Sequence, residues 1–345
     1  MMPLKGRCAE KMRIGVAIED TWAFFKEIFD ELCEHHSVTL FQRRTIQSPI
    51  FYDRINQSVY DHDLRSFMRN NQVVFFEWAS GLLESASQLP KTCGIVTRLH
   101  RYEMYRWADN IQWDVVDKII LVSQAKRGEF IQRFPAQAEK IVVIPEAISL
   151  ERFALPPKPF NGDLGILCHL TPRKRVYELI LAFYELNKIR GDYRLHIGGG
   201  EHPLFRDYFR ALHELVEKLG LQERVIFYGR VEQPETWYGN IDIFISNSYS
   251  EGLQVSPMEA IASGRYCLSH YWEGADELLP ADSLYLTEQE LIRRILDYSD
   301  LSQMQRLEKI AAQQALVRER FDIHKIKREI RRLVEQVGEF YADRS

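Results

Sequence analysis

Long apolar runs are what this 345-residue sequence most clearly lacks. Nowhere do about 18 apolar residues follow one another, so no transmembrane helix is expected. The opening MMPLKGRCAEKMR carries charge but no apolar stretch of signal-peptide length. Cysteine is scarce and scattered: Cys8, Cys33, Cys93, Cys168 and Cys267 are odd in number and form no C-x-x-C. That usage argues against a disulfide framework or a zinc site and for reduced thiols in the cytoplasm. A basic excess is missing as well, since 45 Lys and Arg face 49 Asp and Glu for a net charge of −4. No nucleic-acid partner is expected from that balance. Short-period repeats, low-complexity segments and the G-x-G-x-x-G fingerprint are also absent. Composition leaves room for a peripheral role at the inner face of a membrane.

What is present is a globular composition, 46% apolar and 27% charged, on a chain too long for one ordinary core. Short β-rich runs recur at Arg13–Ile18, Val38–Phe41, Val73–Phe76, Gly94–Arg98, Lys118–Val122 and Ile141–Ile144. After the Pro-rich interruption LPPKPFNGD they resume at Leu164–His169, Arg194–Ile197, Val225–Tyr228, Ile243–Ser246 and Tyr266–Ser269. Helical stripes separate them. One comprises Leu204, Tyr208, Leu212, Leu215, Val216 and Leu219, stopped by Gly220; another runs from Val176 to Leu186. A third, from Ile323 to Val337, makes a long amphipathic helix after Asp322. Buried strands alternating with helices predict α/β architecture, two doubly wound parallel halves divided at 155/156, with a helical tail from 321. Ligands of such sheets bind beyond the carboxyl ends of the strands.

Several loops at those ends carry chemistry. In LCHLTPRKRVYEL the cations Arg173, Lys174 and Arg175 precede a helix start, where a diphosphate would offset both their charge and the helix dipole. A solvated basic turn is the alternative. In HIGGGEHP three glycines allow close backbone approach to a ligand, or simply a tight turn. In EGLQVSPMEAIASG, Ser256-Pro257-Met258-Glu259 reads as a capping box with proline at the first helical position, and Gly264 as the helix stop. Capping does not explain Glu251, which is expected to face the crevice. Asp61-His62-Asp63 resembles a D-x-D metal motif but sits in a polar segment, and is assigned to helix capping.

EGLQVSPMEAIASG resembles the E-x7-E segment of family-4-type retaining glycosyltransferases of the GT-B fold. His169-Leu-Thr-Pro-Arg-Lys174 looks like that family's first phosphate loop, Leu195 to Gly200 like its L-x-I-x-G-x-G, and Arg224 to Val231 like its R-V-x-F-x-G-x-V. Val143 to Phe153 is similar to its domain-boundary segment, Thr97 to His100 to its histidine-bearing loop, and Glu277 to the acidic residue after the next strand. The resemblance implies two Rossmann-like domains facing a central crevice. Residues 1–155 would form the acceptor side, 156–320 the nucleotide-sugar side, and 321–345 a helix crossing back to the N-terminal domain.

It further implies transfer of a sugar, with retention, from a nucleotide-diphosphate sugar to an acceptor hydroxyl. UDP is favoured over GDP, and a glycan or lipid-linked acceptor is expected, with no tightly bound cofactor and no metal. Glu251 would contact sugar hydroxyls and Glu259 the ribose. Gly252, Leu253, Gln254 and Val255 would serve sugar and phosphate. Lys174 would neutralise the leaving diphosphate with Arg173 and His169 beside it. Gly199, Gly200, Tyr228, Arg230 and Val231 would lie near the nucleoside, and His100 near the sugar or acceptor. The family's arginine is His169 here, its preceding glycine Cys168, and its N-G pair Glu146-Ala147. Arg173 or Arg175 is the candidate replacement cation. A nucleotide-sugar epimerase, a phosphorylase of the same fold, or a non-catalytic nucleotide-sugar scaffold is the alternative.

Overall fold

The apolar runs become strands of two wholly parallel six-stranded sheets, the arrangement that buries both faces of each strand. The computed structural model describes residues 11–342 apart from 20, 23, 24, 48 and 49. Contacts divide the chain into two compact units, residues 1–145 with 324–345, and residues 146–323.

In the first unit β1 (Arg13–Ile18), β2 (Ser37–Leu40), β3 (Val73–Glu77), β4 (Gly94–Leu99), β5 (Lys118–Leu121) and β6 (Ile141–Val143) take the order β2-β1-β3-β4-β5-β6. β3 and β4 are buried at every position, and Phe75 stacks on Phe25 at 5.4 Å between centroids. The helix Ile323–Ala342 starts directly after Asp322, as its apolar stripe predicts. It sits close enough to β4 that a Cβ on Gly94 would lie 2.5 Å from Val337 Cγ1. Asp61 and Asp63 lie inside the helix Tyr52–Asn70, so the expected cap is corrected. Asp61 accepts a 2.8 Å hydrogen bond from Gln57, and Arg44 Nε donates to Asp63 at 2.7 Å.

The second unit comprises β7 (Asp163–Leu167), β8 (Arg194–Gly198), β9 (Val225–Gly229), β10 (Ile243–Ser246), β11 (Tyr266–His270) and β12 (Leu284–Tyr285), ordered β12-β11-β10-β7-β8-β9. From β7 the chain steps outward to β8 and β9, then returns to lay β10 on the other side. The strand order therefore reverses between β7 and β10. Along the helix Val176–Ile189 the predicted stripe is buried. The helix Arg206–Lys218 begins after Leu204, which is 81% exposed and so falls outside the stripe assigned to it. Gly220, at φ +68°, ends that turn as expected. The division between units falls at 145/146 rather than at the Pro-rich stretch. Ile148 exchanges backbone hydrogen bonds with Phe321 and Ile323, which ties the segment after Pro145 to the second unit.

Gly94→Ala should destabilise the fold by ~1–3 kcal/mol, because Val337 is β-branched and stiff and cannot yield cheaply. Urea denaturation of the variant against wild type measures this; an unchanged midpoint would contradict the close helix seat.

Candidate active site

The reversal between β7 and β10 sets two loops side by side, residues 168–175 and 247–254. Open α/β sheets bind ligands at such a switch point. Here the loops carry opposite charge. Lys174 Nζ lies 2.6 Å and Arg173 Nη1 2.5 Å from Glu251 Oε1. Arg173 also donates to the Ser250 carbonyl at 2.6 Å, and Asn247 donates to the Arg175 carbonyl at 2.8 Å. Arg175 pairs with Glu288 at 2.7 Å, which leaves Arg173 as the cation beside Lys174. Glu251 is only 8% exposed. Burial alone would raise its carboxyl, but Lys174 and Arg173 overcome that and hold it at about 2.

Gln254 was expected to contribute its backbone; its side chain does more. Its Nε2 donates to Glu251 at 2.8 Å and to Ser248 Oγ at 3.1 Å, while its Oε1 accepts from Ser246. Lys174, Arg173, Gln254 and Ser248 thus orient the carboxylate. Sequence spacing carries no signal for this, since Gln254 could equally have faced solvent.

The capping box is corrected. The helix spans Val255–Ala262 with Gln254 at the N-cap and no side-chain cap, so Pro257 is its third residue rather than its first. Glu259 instead accepts a 2.8 Å hydrogen bond from the Tyr238 hydroxyl, which also reaches the Ser256 carbonyl at 3.1 Å. Burial raises the Glu259 carboxyl, with Tyr238 opposing. The backbone N–H groups of Val255 and Ser256 begin the helix and have no intrahelical acceptor. Gly264 ends it as predicted: at φ +74° it donates to Ile261, and Arg265 donates back to Ala260.

Gly199 is explained by the backbone. At φ +143° any Cβ would sit 2.0 Å from the Cys168 carbonyl oxygen. Gly200 meets only ordinary contacts, with Arg230 at 3.6 Å. His169 is exposed; partial burial of its ring, then Lys174, His202, Arg173 and Arg230, hold it below the ordinary histidine range. It therefore favours the neutral form where an arginine would be charged. Tyr228 hydrogen-bonds His196 Nδ1 at 2.8 Å, Arg230 pairs with Glu232 at 2.8 Å on the surface, and Val231 packs against the core. Leu253 does likewise, and Gly252 is buried.

Residues 162–298, which contain both loops, match the family model of glycosyl transferases group 1. Through that segment the chain is similar to the group 1 glycosyltransferases. An alpha-monoglucosyldiacylglycerol synthase of Streptococcus pneumoniae is 28% identical over 202 residues, 53% of this chain and 44% of the relative. A lipopolysaccharide core biosynthesis mannosyltransferase of Rhizobium leguminosarum bv. viciae is 35% identical over 112 residues, 32% of this chain and 30% of the relative. The chain thus spans less than half the length of these curated relatives. Among solved structures, Anabaena HepE in complex with UDP and glucose superposes with a TM-score of 0.75 at 19% identity, covering 94% of this chain and 100% of that one. The fold is that of the GT-B glycosyltransferases, with two Rossmann-like units.

The first unit holds its own buried polar cluster at the carboxyl ends of β3 and β4. Arg98 Nη2 lies 2.6 Å from Glu77 and is 1% exposed. His100 Nε2 shares the same carboxylate at 3.2 Å and packs on the Trp78 ring at 4.1 Å. Trp78 takes φ +73°, a strained conformation for an aromatic residue. Nothing in the local sequence signals it. For metals, the described residues offer Glu31, Glu34 and His35, but Glu31 is taken by Lys327 and Arg331, each at 3.0 Å.

Because Glu251 is depressed from 4.5 to about 2, its contribution is full above its unfolded value and is lost as pH falls through that window. The loss should reach ~3 kcal/mol. Urea denaturation of wild type and Glu251→Gln across that window isolates the term; parallel pH dependence in both proteins would refute it.

Proposed function

We propose that this chain is a retaining glycosyltransferase acting on a nucleotide-diphosphate sugar, with a UDP-sugar favoured. The observation that carries the reading is the convergence of Lys174 and Arg173 on Glu251 at the β7/β10 switch point, beside the helix start at Val255. Two fixed cations and free N–H groups suit the charge that develops on a departing diphosphate. Glu251, pinned as an anion, accepts hydrogen bonds from sugar hydroxyls. Glu259, braced by Tyr238, faces the ribose. His169, Gly199, Gly200, Tyr228, Arg230 and Val231 complete the donor side, and His100 serves the sugar or acceptor.

In the reaction the bond from the anomeric carbon to the diphosphate oxygen breaks. The acceptor oxygen bonds that carbon on the same face, and its proton passes to the departing phosphate. No metal or tightly bound cofactor takes part. The acceptor is a glycan or lipid-linked hydroxyl, reached at the inner face of a membrane. Support comes from the glucosyl and mannosyl activities named for the relatives above, and from the UDP and glucose bound to HepE.

Thermal-shift screening against UDP-, GDP- and ADP-sugars should give the largest stabilisation with a UDP-sugar. No stabilisation by any of them would defeat the reading. Lys174→Ala should lower transfer by ~10²–10³-fold, assayed below the variant's melting temperature, which should itself fall because the buried Glu251 loses one of its two cations. Glu251→Ala should abolish detectable transfer, and retained transfer would remove Glu251 from the site.

A further inference from the structure

At the opposite edge of the second sheet, where β10 and β11 begin, the unit holds a cavity of about 680 Å³. That is the size of small-molecule sites. Its walls include Lys158, Phe160, Asp242, Arg265, Tyr298 and Arg306. Arg265 is 4% exposed, and its Nε has no hydrogen-bond partner. Asp242 is the acidic group that influences it, but Asp242 is occupied. It pairs with Lys158 at 3.0 Å and accepts the backbone N–H groups of Asn161 and Asp163 at 2.8 and 3.0 Å. Arg306 donates only to carbonyls, those of Ser299 at 3.1 Å and Leu301 at 2.7 Å. Two guanidinium groups thus line one cavity, and among the described residues neither has a carboxylate partner.

Desolvating an unpaired cation costs several kcal/mol. Arg265 follows the C-terminus of the helix Val255–Ala262, whose dipole attracts a cation, but that is worth only ~0.3–1 kcal/mol. The dipole alone does not offset the burial. An anion would. Beside the polar Lys158, Asp242, Gln303 and Gln314, the walls offer apolar and aromatic surface: Arg306 lies over the Phe160 ring at 4.9 Å, and Phe160 meets Tyr298 edge-on at 5.9 Å.

We infer that this cavity binds a small organic anion, a phosphate or carboxylate on an aromatic or aliphatic body. Arg265 and Arg306 take the anionic group, and Phe160 and Tyr298 take the body. The site uses none of the residues of loops 168–175 and 247–254 and does not rest on the transferase reading.

Calorimetric titration of the full chain with naphthyl phosphate, naphthoate and inorganic phosphate tests it. Wild type should bind at least one naphthyl probe more tightly than inorganic phosphate. Arg265→Met should weaken that binding by roughly 30-fold or more, the loss expected when one partner of a buried charge pair is truncated. Lys174→Met should leave it unchanged, whereas loss of binding there would place the probe in the donor loops and overturn the inference. Equal binding by Arg265→Met, or no binding of either naphthyl probe to wild type, would overturn it too. If Arg265→Met does not fold, Arg306→Gln carries the same comparison.

Discussion

The ion cluster of Glu251 with Lys174 and Arg173 is the interaction around which the second unit is organised. It joins the loop after β7 to the loop after β10, and those are the two strands between which the sheet reverses its order. A carboxylate this buried would be costly if unpaired, and the two cations would repel if it were absent. Each side therefore requires the other. Gln254 then fixes the carboxylate's direction, and the same residue starts the helix Val255–Ala262.

That helix links two chemically distinct ends. Its start stands beside the anionic Glu251 and its attendant cations, with Glu259 one turn in and braced by Tyr238. Its end delivers Arg265 to a cavity whose one carboxylate, Asp242, is engaged by Lys158 and two backbone N–H groups. The two ends differ in how charge is handled: paired directly at one, without a direct carboxylate partner for the arginine at the other. The first unit follows the compensated pattern, with Arg98 and His100 sharing Glu77 at the ends of β3 and β4.

The periodicity of the sequence was enough to place eleven strands, because burial on both faces demands continuous apolar runs, and the helices at Val176, Arg206 and Ile323 to within a residue or two; the two-residue β12 is too short to show a run and was missed. The glycine stops at Gly220 and Gly264 were equally legible, since left-handed backbone is a local property. The helix start at Val255 was not. A capping box at Ser256 is a sound local reading, but the Tyr238 hydroxyl, distant in sequence, captured Glu259 and removed the reciprocal bond. Leu204 was misassigned for a similar reason: an apolar residue at helical spacing says nothing of where the first turn closes.

By itself the sequence determined the alternation of strands and helices; it singled out Lys174, Glu251 and Glu259 and expected two units, but put their boundary at 155/156 where contacts put it at 145/146. Tertiary structure alone decided that Lys174 and Glu251, 77 positions apart, touch, that Arg173 and not Arg175 joins them, and that among the described residues Arg265 Nε finds no hydrogen-bond partner. The reason is range. Backbone preference and periodicity act over a few residues, whereas the pairing of charges depends on strand order and on which groups the finished sheet withdraws from water.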